Sequence, residues 1–247
     1  MSAQTTVTIK RSSLLLAGGI FLLGIGGIVA AFVLLSPGRS EARLPDGLAT
    51  GQVAQDRTVA ASTRYGENTF VIAAGDPLLG EADASLTLVE FSDFQCPYCL
   101  TAHNGVLTAL RQSDYMKNGQ VNIVFKHLPL SDIHPLARQA AEAAECANRQ
   151  GEFWRYHDRL FAEGTLDADD LKRHAANLGL KETVFDACVD RGEAAPKVQD
   201  DLNQAERAGA GGTPYFVLVD AEGGTHLFSG AIPWSRLEIA IKSMLDK

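Results

Sequence analysis

Leu86-Thr87-Leu88-Val89-Glu90-Phe91-Ser92-Asp93-Phe94-Gln95-Cys96-Pro97-Tyr98-Cys99 runs from an apolar stretch straight into a paired cysteine motif. Leu86 to Phe91 is rich in side chains that pack well on a pleated surface, so a strand is predicted. Alternation puts Leu86, Leu88 and Glu90 on one face and Thr87, Val89 and Phe91 on the other. Pro97 then stands in the favoured first turn of a helix, and Leu100, Val106, Leu107 and Leu110 supply an apolar stripe that continues it. Cys96 therefore sits between a strand and a helix, where unpaired backbone N–H groups and the positive dipole end stabilise a thiolate. A lowered thiol pKa raises the fraction of nucleophile, and Cys99, one turn on, is placed to form or resolve a disulfide. Cys96 is read as the attacking cysteine and Cys99 as the resolving one. The alternative is half a zinc site, which needs a second pair or a Cys/His partner at suitable spacing. Cys146 and Cys188 are isolated, so redox exchange is favoured and neither metal nor cofactor is expected.

Working outward, Phe70-Val71-Ile72 predicts a first, edge strand ended by Gly75-Asp76-Pro77. Val121 to Phe125 predicts the strand after the motif. Between Ile133 and about Arg207 helical stretches follow one another, punctuated by Gly151, Gly164, Gly179 and Gly192. Pro135 begins an Ala-rich helix, and Asp167 with Asp170 before Leu171, Ala175 and Leu178 has the spacing of a capped amphipathic one. Tyr215 to Val219 and Thr225 to Phe228 flank a hairpin loop, Asp220 to Gly224, and a last helix begins near Pro233. Strand, helix, strand, helical insertion at about 131–210, hairpin and helix make a split α/β fold over residues 69–247.

The N-terminal quarter is of another kind. Leu14 to Leu35 carries no charge over 22 residues, which at about 1.5 Å per residue spans roughly 33 Å, a bilayer's hydrocarbon thickness. Lys10 and Arg11 precede it and no acid does, so the positive-inside rule predicts a cytoplasmic tail over 1–13, a single transmembrane anchor over 14–35, and an exported remainder. A cleaved signal peptide is the rival reading. Residues 36–68 are polar, without sustained period, and are read as a tether. Net charge is −8, from 22 Lys and Arg against 30 Asp and Glu, with no basic tract. No nucleic-acid partner is therefore expected.

The quoted stretch resembles the DsbA-like branch of the thioredoxin superfamily, in its membrane-tethered or secreted members. The similarity continues through Phe125-Lys126-His127-Leu128-Pro129-Leu130, Ala143-Ala144-Glu145-Cys146, Phe153-Trp154, His157-Asp158 and Gly212-Thr213-Pro214. It implies a thioredoxin-like fold with an all-helical insertion and an envelope-facing thiol:disulfide oxidoreductase in a bacterial inner membrane. Its implied partners are reduced exported proteins and a membrane redox protein that recycles the site. The resemblance also assigns Pro214 as a cis-proline facing the disulfide and Thr213 as its backbone platform for substrate. Classical DsbA oxidases carry valine at that place and reductases or isomerases threonine, so the direction of electron flow stays open.

Glu90 lies where the superfamily often keeps a buried acid that moves a proton at the inner cysteine, its alternative being a solvent-facing strand residue. With both faces covered by helices, burial is expected. Lys126 is either its partner or a snorkelling side chain. Phe94, Pro97 and Tyr98 flank Cys96 where a peptide would approach, although Phe94 fits a core equally well. An even cysteine count in an oxidising compartment pairs Cys146 with Cys188, free thiols or a relay pair being the alternatives. His103, His127, His134 and His157 are scattered, and Phe153, Trp154, Tyr156 and Phe161 read as packing of one helix. Three function classes follow: a dithiol oxidase for exported proteins, a reductase or isomerase, and a noncatalytic binding module. The tether holds no obvious dimerisation domain of the kind an isomerase uses, which favours the first.

Overall fold

The computed structural model describes residues 63–65 and 70–246. The segment read as the anchor lies outside them, and among the described residues no helix is long and apolar enough to cross a membrane. Strand β1 (Thr63–Tyr65) pairs antiparallel with β2 (Phe70–Ile72), Arg64 opposite Val71, in a two-stranded ribbon separate from the main sheet. Two expectations change here. Phe70–Ile72 is not an edge of the main sheet, and a strand occupies residues read as tether, too short at three positions for alternation to register.

The main sheet contains β3 (Leu78–Leu79), β4 (Leu86–Ser92), β5 (Val121–His127), β6 (Tyr215–Asp220) and β7 (Thr225–Ser229), in the order β3-β5-β4-β6-β7. Only β4 and β5 are parallel. Their crossover is a helix beginning at Pro97, formed by α1 (Pro97–Ala102), a π-helical turn (His103–Leu107) and α2 (Thr108–Gln112), followed by the short α3 (Asp114–Lys117). The hairpin expected at Asp220 to Gly224 joins β6 to β7. The chain closes with α9 (Trp234–Leu245).

Both faces of β4 are buried, as a parallel pair sandwiched by helices requires. Leu86 and Leu88 pack with Val121, Ile123, Phe216 and Leu218 under the crossover helix and α9. Val89 and Phe91 pack on the opposite face with Phe70, Val124, Val217 and Ala205. Leu100 departs from the predicted stripe, being 38% exposed. The buried side of the crossover helix runs through Cys99, Ala102, Val106 and Leu110, and Leu100 lies one residue, about 100°, round from it.

The insertion is helical throughout: α4 (Ala137–Asn148), α5 (Phe153–Glu163), α6 (Ala168–Asn177), α7 (Glu182–Asp190) and α8 (Ala195–Arg207). Asp167 stands at the N-cap of α6 but makes no side-chain cap bond, so that predicted cap is positional only. Gly164 ends α5 at φ 68°, a left-handed conformation that favours glycine. Cys146 of α4 is disulfide-bonded to Cys188 of α7. The bond closes a 42-residue separation, which in the chain-entropy account stabilises by about 4 kcal/mol.

Lys126 does not pair with Glu90. In the β4–β5 register Glu90 lies opposite Phe125 and Phe91 opposite Lys126, so the ammonium is on the other face of the sheet. There it meets Asp76 at 2.6 Å and Asp201 of α8 at 3.3 Å. Lys197 completes a four-charge square, 3.0 Å from Asp76 and 2.6 Å from Asp201.

Candidate active site

Cys96 and Cys99 are reduced, and both are buried. Cys96 occupies the N-cap of α1 in an extended conformation, with Pro97 at the first helical position, so the helix's free N–H groups converge on its sulfur. The Cys96 thiol is pulled down to about 5, foremost by the hydrogen bond from Cys99. Desolvation opposes this, and Thr213 with the backbone N–H groups of Cys99 and Tyr98 adds to it. Burial pushes the Cys99 thiol far up, helped by its bond to Cys96 and by the charge of Glu90. The two sulfurs thus divide labour: one holds a negative charge near neutral pH and the other holds a proton.

Glu90 is completely buried, flanked in the sheet by Phe125 and Phe216. Burial pushes its carboxyl up to about 7, against the lowering effects of Ser92 and of Arg111. The sheet face it shares with Leu88 is the one under the crossover helix, which is why a residue six positions before Cys96 reaches the charge environment of Cys99.

The Thr213–Pro214 peptide bond is cis. Thr213 brings its carbonyl to 3.5 Å from the Cys96 sulfur, which donates to it while protonated, and the Pro214 carbonyl accepts from Gly230 N–H at 2.8 Å. The cis-proline loop and the cysteine motif, far apart in sequence, therefore meet at one sulfur. Tyr98 is 65% exposed beside them. A cavity of about 230 Å³ opens next to Cys96, lined by Phe94, Pro97, Leu100, Phe161 and Leu166 among others. Phe94 forms the inner wall of this cavity and is itself core: it stacks on Phe125 at 5.5 Å and packs against Phe161 at 5.2 Å. The stacking partners on β5 and α5 hold the ring inside.

Phe153, Tyr156 and Phe161 are buried in the packing of α5, as expected. The histidines are less scattered than their sequence positions suggest. His103, His157 and Asp158 offer ligand atoms within 4.8 Å of one another. Arg111 already occupies that carboxylate, donating to both oxygens at 2.9 and 3.0 Å, and its guanidinium lies over the Trp154 ring. A fixed cation on the only anionic ligand opposes a metal ion there. His157 donates or accepts at Asp158 at 2.8 Å, and burial pushes it down to about 4. The cluster reads as a neutral wedge behind the cavity.

Sequence reasoning did not single out Asp93, which is buried at the turn before Cys96 and bonded to Gln95, Leu130 and His134. The signal was present as a second acid, after Glu90, between Phe91 and Phe94.

A family model described as Thioredoxin matches residues 73–242. Among solved structures, oxidised BdbD from Bacillus subtilis is similar with a TM-score of 0.62 and 22% identity, covering 75% of this chain and 98% of that one. A thioredoxin-like oxidoreductase from Silicibacter pomeroyi is similar with a TM-score of 0.59 and 26% identity, over 70% of this chain and 94% of that one. A curated relative, the Na(+)/H(+) antiporter NhaA 3 of Salinispora tropica, is 40% identical over 144 residues, 58% of this chain and 21% of the relative. The chain thus spans about a fifth of the length of the first curated relatives it matches.

Proposed function

The chain belongs to the thioredoxin family, and from that premise we propose that it is a DsbA-like thiol:disulfide oxidoreductase whose Cys96–Cys99 pair donates a disulfide to reduced, exported polypeptides. The observation that carries this direction is the low Cys96 pKa of about 5. A stabilised thiolate favours the reduced protein, and so makes its disulfide oxidising.

In the forward direction a substrate thiolate attacks the Cys96 sulfur of the Cys96–Cys99 disulfide. A substrate–Cys96 bond forms and Cys99 leaves with the electron pair. Glu90, pushed up to about 7, supplies the proton that Cys99 retains. A second substrate thiolate then attacks the substrate sulfur of the mixed disulfide, and Cys96 leaves as its stabilised thiolate. Two substrate thiols have become a disulfide, and the protein's disulfide has become a dithiol. Thr213 and cis-Pro214 present backbone to an extended substrate segment. Pro97, Tyr98 and the cavity floored by Phe94 take the side chains beside the reacting cysteine.

Placement at a membrane supports the same reading. The uncharged run 14–35 serves as an N-in anchor of a bacterial inner membrane, leaving the catalytic domain in the periplasm or equivalent extracytoplasmic space. The Cys146–Cys188 bond suits that oxidising compartment, and a membrane redox partner reoxidises the site there. Thr213 favours a second reading, a reductase or isomerase. The reduction potential decides between them: a value toward about −120 mV supports the oxidase, and one near about −270 mV overturns it. A Cys99→Ser variant should accumulate mixed disulfides with exported proteins, an outcome that a noncatalytic binding module does not produce.

A further inference from the structure

We propose that Asp93 and His134 form a positioning pair that aims the main chain of the active-site turn at both reacting cysteines and so sets the rate at which Cys99 resolves a mixed disulfide. The inference rests on the exchange chemistry above and not on its direction.

Asp93 touches both cysteines through its backbone. Its carbonyl accepts the Cys96 N–H at 3.1 Å, and its own N–H donates to the Cys99 sulfur at 3.4 Å. The second bond matters only when Cys99 carries negative charge, as the attacking group or the leaving group, because a sulfur accepts far more strongly as thiolate than as thiol. An N–H of this kind is present whatever residue stands at the position. What the aspartate side chain adds is its direction.

That side chain uses both oxygens, one within the turn and one outside it. One oxygen accepts the Gln95 N–H at 2.7 Å. The other accepts the Leu130 N–H at 2.9 Å and lies 2.7 Å from the His134 ring Nδ1. Leu130 and His134 belong to the connection between β5 and α4, so the turn is clamped to the start of the helical insertion. Two parallel struts run alongside, Gln95 Oε1 accepting from Leu136 N–H and the Ser92 carbonyl from Leu128 N–H, each at 2.8 Å. Of these, the Asp93–His134 contact alone joins two ionisable side chains, and it is the one that a single side-chain substitution on the far segment removes. His134 touches neither cysteine in this arrangement and acts through Asp93.

The test uses the full chain with glutathione as the thiol partner and measures the rate at which Cys99 expels glutathione from a Cys96 mixed disulfide, across the pH range of the reaction. His134→Ala should slow this step about tenfold, the effect of losing one hydrogen bond to a charged group. His134→Gln, whose amide N–H can still donate to Asp93, should return it to within about twofold. Asp93→Asn should slow it at least as much as His134→Ala. Cys96 thiolate absorbance should keep its midpoint near that of the unaltered protein in both His134 variants, since the groups that lower the Cys96 pKa lie elsewhere. Unfolding of the oxidised form is followed in parallel. Unchanged resolution rates in His134→Ala and Asp93→Asn overturn the proposal. So does a loss in His134→Ala that tracks unfolding and is not restored by glutamine, which would leave the pair a structural clamp only. The unaltered protein's potential decides the direction of exchange, whereas these ratios of variant to unaltered protein decide the role of the pair, so either can fail without the other.

Discussion

The two faces of β4 bury acids in opposite ways. On the face under the crossover helix, Glu90 sits among Phe125, Phe216 and Leu88 with no cation in contact, and burial drives its carboxyl up to about 7. On the other face, Asp76 and Asp201 are buried too, but two lysines lie within 3.3 Å. A carboxyl without a partner in a low-dielectric site holds its proton and can deliver it to a neighbour, whereas one closed into an ion-pair square contributes cohesion. The sheet therefore separates a face whose acid keeps its proton from one whose acids are ion-paired, and a one-residue shift of register exchanges them.

Breaking the square has the largest expected effect. Lys126→Met leaves two buried aspartates sharing Lys197, and it should cost about 3 to 5 kcal/mol in urea unfolding, the usual penalty for removing one partner of a buried pair. A loss under about 1 kcal/mol would mean that the square is not a stabilising element. Glu90→Gln tests the other face and should act with the opposite sign. Between pH 4.5 and about 7 the unfolded glutamate releases its proton while the native one keeps it, so the unaltered protein loses stability as pH rises through that window. The full difference is about 3 kcal/mol. Glu90→Gln should match the unaltered protein at about pH 4 and gain progressively on it toward about pH 8, while slowing the release of Cys99 from the disulfide. A stability difference that does not vary with pH would show that the carboxyl is not the group titrating. Lys197→Met should cost less than Lys126→Met, about 1.5 kcal/mol, because its side chain is 22% exposed and water can enter in its place. Equal losses for the two lysines would erase the distinction between a sealed and a wetted edge of the square.

The active-site half was open to reading because its signals are local. The strand from Leu86, the proline after Cys96 and the helix that follows are carried by neighbours in sequence, and the insertion's helices by the 3.6 period between glycines. Glu90's burial was accessible from alternation once both sheet faces were taken as covered. Leu100 falls off its stripe because the predicted face takes in the larger residues and omits the small Cys99 and Ala102, which mark its true centre. The sequence leaves Phe94 between substrate and core, since nothing in its own segment announces the aromatic ring of Phe125 that holds it.

By itself, then, the sequence determined the paired cysteines at a strand-to-helix junction, the helical insertion within a split sheet and the acid beside the inner cysteine. Only the tertiary structure decided which charges meet. Lys126 turns toward Asp76 and Asp201 because the parallel register of β4 and β5 places it opposite Phe91, and Asp93 reaches His134 because the chain after β5 folds back over the turn. Periodicity fixes the face on which a side chain lies, but its partner comes from segments tens of residues away. Contacts of that kind depend on how elements dock, which no local pattern encodes.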